Sequence, residues 1–96
     1  MISNISMKDF LKLKPEGQII DIRSVQSYNN NHIPGAKNIP IEKLLNEPHK
    51  YLNKFEVYYI YCQSGIRSVN ICKNLKRLGY KVVNIEGGYE SWILER

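Results

Sequence analysis

The apolar residues fall into two kinds of run that alternate along the chain. Gln18-Ile19-Ile20-Asp21-Ile22, Val57-Tyr58-Tyr59-Ile60-Tyr61 and Lys81-Val82-Val83-Asn84-Ile85 are short, rich in β-branched or aromatic residues and free of breakers, which predicts buried strands. The second of these is the strongest strand signal and belongs near the centre of a sheet. Val69, Ile71, Cys72, Leu75 and Leu78 recur at near-helical spacing, and the run closes at Leu78-Gly79-Tyr80, where Gly79 suits a left-handed cap. Ser6 followed by Asp9 reads as a capping box opening a helix with Phe10, Leu11 and Leu13, which stops at Pro15-Glu16-Gly17. The weaker signals are a brief strand around Ala36 to Ile39, helical turns at Ile41 to Leu45 and Pro48 to Leu52, and a last short helix after Gly87-Gly88 carrying Tyr89, Trp92 and Ile93. Ser24 to Asn31 is read as a polar stretch, and His32-Ile33-Pro34-Gly35-Ala36 as a turn.

Strands alternating with helices predict an α/β fold, a parallel sheet covered on both faces with its ligand crevice at the carboxyl ends of the strands. No repeat, low-complexity tract or linker divides residues 1–96, so a single domain is expected, and a chain of this length buries about two-thirds of its unfolded surface.

Composition narrows the function classes. Two cysteines, Cys62 and Cys72, are too few for a disulfide scaffold and too far apart for a CxxC motif. The excess of 14 Lys and Arg over 9 Asp and Glu gives a net charge of +5, which favours anions. The basic residues are dispersed except for Lys73-Asn74-Leu75-Lys76-Arg77, the solvated face of a helix, so no nucleic-acid groove is expected. No run approaches the roughly 20 apolar residues that cross a bilayer, and Met1-Ile2-Ser3-Asn4 has no charged leader pattern, so a cytoplasmic protein without a membrane partner is expected. No heptad or exposed apolar stripe stands out, which leaves a monomer as the expectation.

The chemistry concentrates where the strongest strand meets the strongest helix, at Ile60-Tyr61-Cys62-Gln63-Ser64-Gly65-Ile66-Arg67-Ser68. A tight loop at a helix start turns backbone N–H groups toward one point and forms an anion cradle. A cysteine at its mouth is favoured as thiolate by the helix dipole and by a charge such as Arg67, with Gly65 easing the turn and Ser64 and Ser68 offering hydroxyls. The competing reading of Cys62, a buried strand-end cysteine, does not call for Gly and Arg beside it. Cys72 shares an apolar helical face with Ile71, Leu75 and Leu78 and reads as core.

Cys62-Gln63-Ser64-Gly65-Ile66-Arg67-Ser68 resembles the active-site loop of the rhodanese family. Ile20-Asp21-Ile22-Arg23 with His32-Ile33-Pro34-Gly35-Ala36-Lys37-Asn38-Ile39-Pro40 resembles the family's N-terminal signature, and Gly79-Tyr80 through Glu86-Gly87-Gly88-Tyr89-Glu90-Ser91-Trp92 its C-terminal one. The resemblance implies a three-layer α/β/α fold around a parallel sheet of about five strands. It implies a sulfurtransferase in which Cys62 accepts a sulfane sulfur from thiosulfate or a persulfide and passes it to cyanide or a thiol. Gln63, Ser64, Gly65, Ile66, Arg67 and Ser68 would hold the bound sulfur, and no metal or organic cofactor is implied. The partners expected are a small anionic sulfur donor and a protein that gives or takes sulfur.

Two positions depart from the family pattern, Ser27 in place of a frequent glutamate and Asn31 in place of a frequent glycine. Arg23 then needs another partner, so Asp21 and Arg23 are read as structural, His32 as an anchor of the following turn, and Tyr89 and Trp92 as sealing the last helix onto the sheet. One alternative is a cysteine phosphatase or arsenate reductase, which uses a similar cradle but a longer loop between cysteine and arginine and a general acid that is not evident here. Another is a non-catalytic module of the same fold, against which the intact Cys62, Gly65 and Arg67 argue.

Overall fold

A computed structural model describes residues 3–96 of the chain. Met1 and Ile2, part of the start read above for a leader pattern, lie outside the described residues. Among the described residues there are five parallel strands, β1 (Ser3–Ser6), β2 (Gln18–Asp21), β3 (Lys37–Asn38), β4 (Val57–Tyr61) and β5 (Lys81–Glu86), in the order β1-β5-β4-β2-β3. The helices are α1 (Met7–Leu13), α2 (Val25–Asn30), α3 (Ile41–Asn46), α4 (Ile66–Arg77) and α5 (Gly88–Glu95), with a 3-10 turn at Pro48–Lys50.

The strand that reads most strongly in sequence, β4, is the middle one of the sheet. Its residues alternate between the two faces, as a strand's period of two requires. Tyr58 and Ile60 join Ile20, Ile71, Cys72, Leu75 and Val82 in the core under α3 and α4. Tyr59 and Tyr61 point to the opposite core, with Met7, Phe10, Ile85 and Trp92 under α1 and α5. Helices therefore cover both faces, giving the three-layer α/β/α architecture with a five-stranded parallel sheet that was expected.

The capping expectation holds at α1, where the Ser6 hydroxyl accepts from the Asp9 N–H at 3.1 Å. Two elements run against the reading of the chain. β1 has only Ile5 as an apolar residue and is an edge strand, where burial does not demand a hydrophobic run. α2 forms within the stretch read as polar loop; it buries no residue and so carries no apolar period, but Ser24 caps it by accepting from the Ser27 N–H at 3.2 Å. The strand around Ala36 to Ile39 shrinks to Lys37–Asn38. No helix of the described residues is long and apolar enough to cross a membrane.

Candidate functional site

Cys62 follows the last residue of β4, and Gly65 caps α4 with φ +94°, a left-handed angle that favours glycine. Between them the chain curls so that its N–H groups meet the sulfur. The Gly65 N–H donates to Cys62 Sγ at 3.1 Å and the Ser68 N–H at 3.4 Å, with Ser68 Oγ also 3.4 Å from Sγ. The loop's carbonyls face the other way. Those of Cys62 and Gln63 accept from the Tyr89 and Glu90 N–H groups, at 2.9 and 3.0 Å, so the free N–H groups at the start of α5 clamp the loop from behind. That approach is close enough to need glycine, since a Cβ on Gly88 (φ +56°) would overlap the Cys62 carbonyl oxygen.

Burial pushes the Cys62 thiol up, but the Ser68 hydroxyl and the N–H groups of Ser68, Gly65 and Ser64 outweigh it, so its pKa lies below the ordinary cysteine value. Arg67 is not among the leading contributors and makes no hydrogen bond or ion pair to the sulfur; its side chain is exposed. The cradle, not the guanidinium, lowers the thiol. Arg67 instead lines a cavity of about 430 Å³ with Cys62, Gln63, Arg23, Ser24, Ser27, Ile22 and Ile41, into which the sulfur opens although Cys62 is only 3% exposed.

The other loop residues divide. Gln63 lies in the cavity wall, where its side-chain Oε1 accepts from Arg23 Nη1 at 3.4 Å. Ser64 contributes the least of the N–H groups that lower the thiol, and it lines with Ile66 a separate, more open cavity. Ile66 is 71% exposed and does not reach the sulfur through any hydrogen bond.

Asp21 and Arg23 form a buried ion pair at the floor of this region. The Asp21 carboxylate accepts from Arg23 Nε and Nη2 at 2.8 to 3.1 Å and from the Tyr61 hydroxyl at 2.6 Å, while Arg23 Nη2 also donates to the Asn31 carbonyl at 2.6 Å. The Arg23 guanidinium stacks on the Tyr89 ring, 4.0 Å from its centroid. Asp21 is thus the partner that Arg23 finds where Ser27 stands. His32 stacks on Tyr28 and its Nδ1 lies 2.9 Å from the Tyr28 carbonyl, fixing the turn before Ile33. Sequence reasoning passed over Asn84, which is fully buried on β5 and accepts from the Ser68 hydroxyl at 2.5 Å. A lone amide inside the apolar run Lys81 to Ile85 was the available signal.

Cys72 sits fully buried on α4, where burial pushes its thiol up to about 12. Such a thiol stays protonated and unreactive at neutral pH. Cys72→Ser is therefore expected to keep at least about half of any sulfur-transfer rate, measured as thiocyanate formation on protein checked for folding by circular dichroism. A loss comparable to that of a Cys62 variant would give Cys72 a chemical role.

The family model named Rhodanese-like domain matches residues 6–95. The chain belongs to the rhodanese-like family. It is 35% identical over 91 residues to the Bacillus subtilis protein YtwF, covering 95% of this chain and 87% of that one. It is 32% identical over 92 residues to the thiosulfate sulfurtransferase GlpE of Coxiella burnetii, covering 95% and 84% of the two chains. Among solved structures, a rhodanese-related protein from Thermoplasma volcanium superposes with a TM-score of 0.88 at 31% identity, over 97% of this chain and 92% of that one. Membership makes this a rhodanese-like sulfurtransferase domain, and the three matched sequence signatures converge in space. The N-terminal one supplies the ion pair, the middle one the cradle and the C-terminal one the clamp behind it.

Proposed function

We propose that Cys62 is the catalytic residue of a sulfur relay that takes its sulfur from a small anionic sulfane donor, thiosulfate or a low-molecular-weight persulfide. The observation that carries this reading is the convergence of the Gly65 and Ser68 N–H groups on one buried sulfur that opens into a cavity walled by Arg23 and Arg67. The Cys62 thiolate attacks the outer sulfur of thiosulfate, a new S–S bond forms, and sulfite leaves with the electron pair of the bond that breaks. A thiolate or cyanide then attacks the terminal sulfur of the persulfide, and the Cys62 thiolate departs unchanged, so the cycle is redox-neutral. The cradle stabilises negative charge both on the resting thiolate and on the outgoing one. The terminal sulfur of the persulfide would be held by the same loop, Gln63 to Ser68, with Arg67 at the cavity wall drawing in the anion.

The Coxiella relative's name supports thiosulfate as a donor. The phosphatase alternative lacks support because no aspartate or glutamate lines the cavity among the described residues, and the nearby Asp21 is committed to Arg23 and Tyr61. A protein donor or acceptor in the reducing cytoplasm remains part of this proposal, with the exposed Arg67 at the cavity wall as its approach.

Intact-mass spectrometry after brief thiosulfate treatment tests the reading. A one-sulfur adduct that cyanide discharges as thiocyanate is the expected result. An unmodified mass together with release of phosphate from an aryl phosphate would overturn it.

A further inference from the structure

Behind the sulfur lies a line of side chains that the transfer chemistry above does not use. Cys62 Sγ donates to Ser68 Oγ at 3.4 Å, Ser68 Oγ donates to Asn84 Oδ1 at 2.5 Å, and Asn84 Nδ2 donates to Asn4 Oδ1 at 3.0 Å. Cys62, Ser68 and Asn84 are buried, while Asn4 stands exposed on the edge strand β1, directly paired with Asn84 across the sheet. Every hydrogen in this line points away from the sulfur. That sense suits the thiol, which has a hydrogen to give.

The thiolate has none and only accepts, so the Ser68 hydroxyl must turn its single hydrogen toward the sulfur. Ser68 Oγ and Asn84 Oδ1 would then face each other as two acceptors at 2.5 Å, a repulsive arrangement in a buried site. An asparagine amide relieves it by turning end for end, after which Nδ2 donates to Ser68 Oγ and Oδ1 accepts from Asn4. Asn4 turns likewise, and because it is exposed, water receives the change at the far end.

We propose that Asn84 is a positioning residue whose amide, anchored by Asn4, reverses with the ionisation of Cys62 and so lets Ser68 serve first as acceptor from the thiol and then as donor to the thiolate. This rests on the reading of Cys62 as the reactive thiol, but it concerns ionisation, which alkylation measures without any sulfur donor. Asparagine suits the position because it presents a donor and an acceptor from nearly the same place. A residue that only accepts would hold the line in its thiol sense.

Asn4→Asp makes the exposed end such a residue at a site where folding tolerates polar change. The test is the rate of Cys62 alkylation by iodoacetamide against pH, in a Cys72→Ser background, for Asn4→Asp alone and combined with Ser68→Ala. The expected result is an upward shift of the midpoint equivalent to at least about threefold less thiolate at neutral pH, seen with Ser68 present and lost in Ser68→Ala. A shift of equal size in both backgrounds would be through-space repulsion from the new carboxylate, and it would overturn the relay, as would no shift at all. The wild-type protein offers an independent check by NMR. The Asn84 side-chain amide resonances should titrate with the alkylation midpoint, and amide signals that stay fixed while Cys62 ionises would also overturn the proposal.

Discussion

Cys62→Ser lowers thiosulfate:cyanide sulfur transfer by at least about a thousandfold and removes the one-sulfur adduct, because a serine hydroxyl at neutral pH is not ionised and cannot carry a persulfide. The variant should fold normally. Serine fits the space of the thiol, and its oxygen can accept from the Gly65 and Ser68 N–H groups that now bond Sγ. Loss of activity with an unchanged unfolding midpoint therefore isolates chemistry from structure. If Cys62→Ser kept more than about a tenth of the wild-type rate, the sulfur would have to be carried elsewhere, and the cradle would be an anion-binding feature rather than the reaction centre.

The second large effect concerns stability. Asp21→Ala is expected to cost about 3–5 kcal/mol, because it leaves the buried Arg23 guanidinium without its counter-charge. It also strips the Tyr61 hydroxyl of its acceptor in the opposite core. For a domain whose total stability is roughly 5–15 kcal/mol, that places the variant close to unfolding at 37 °C. Urea denaturation reads the change, and adding Arg23→Met should restore part of the loss by removing the orphaned charge. A cost below about 1 kcal/mol for Asp21→Ala would mean that Asn31 and Tyr89 suffice to hold Arg23.

The elements legible in the sequence are those whose burial imposes a period. β4, β5 and the middle of α4 pack against the core, and their apolar residues had to recur as they do, whereas Leu78, read on the same apolar face, lies past the end of α4 and is 54% exposed. β1 and α2 escaped because an edge strand and a surface helix owe little to the core. In α2 the one clear signal was Ser24, a capping residue with no hydrophobic run behind it. The site followed a similar rule. Cys62, Gly65 and Ser68 were readable because a strand, a turn and a helix start meet at them. The cradle of backbone N–H groups and the Ser68 hydroxyl were read from that meeting point and lie at the sulfur, whereas Arg67, read as an added charge on the thiol, is not among the leading contributors. A helix start fixes where its N–H groups point, whereas the direction in which a long arginine side chain leaves the loop is a property of the folded surface. Asn84 was missed because its partners Ser68 and Asn4 lie 16 and 80 residues away in sequence.

The clamp behind the cysteine ties the geometry of its loop to the docking of β5 and α5. The N–H groups that hold the loop come from Tyr89 and Glu90, and the edge strand bearing Asn4 pairs only with β5. As the chain emerges from a ribosome, β2, β3 and β4 are made well before β5 and α5. Through that interval Cys62 has neither its rear clamp nor the amide line behind Ser68, and its loop has only its own residues and α4 to hold the cradle in shape. An activated thiol exposed on an unfinished chain invites oxidation and mispairing. In this topology the support behind the loop comes from β5 and α5, so the geometry that turns the Gly65 and Ser68 N–H groups onto the sulfur is locked only when those two elements have docked.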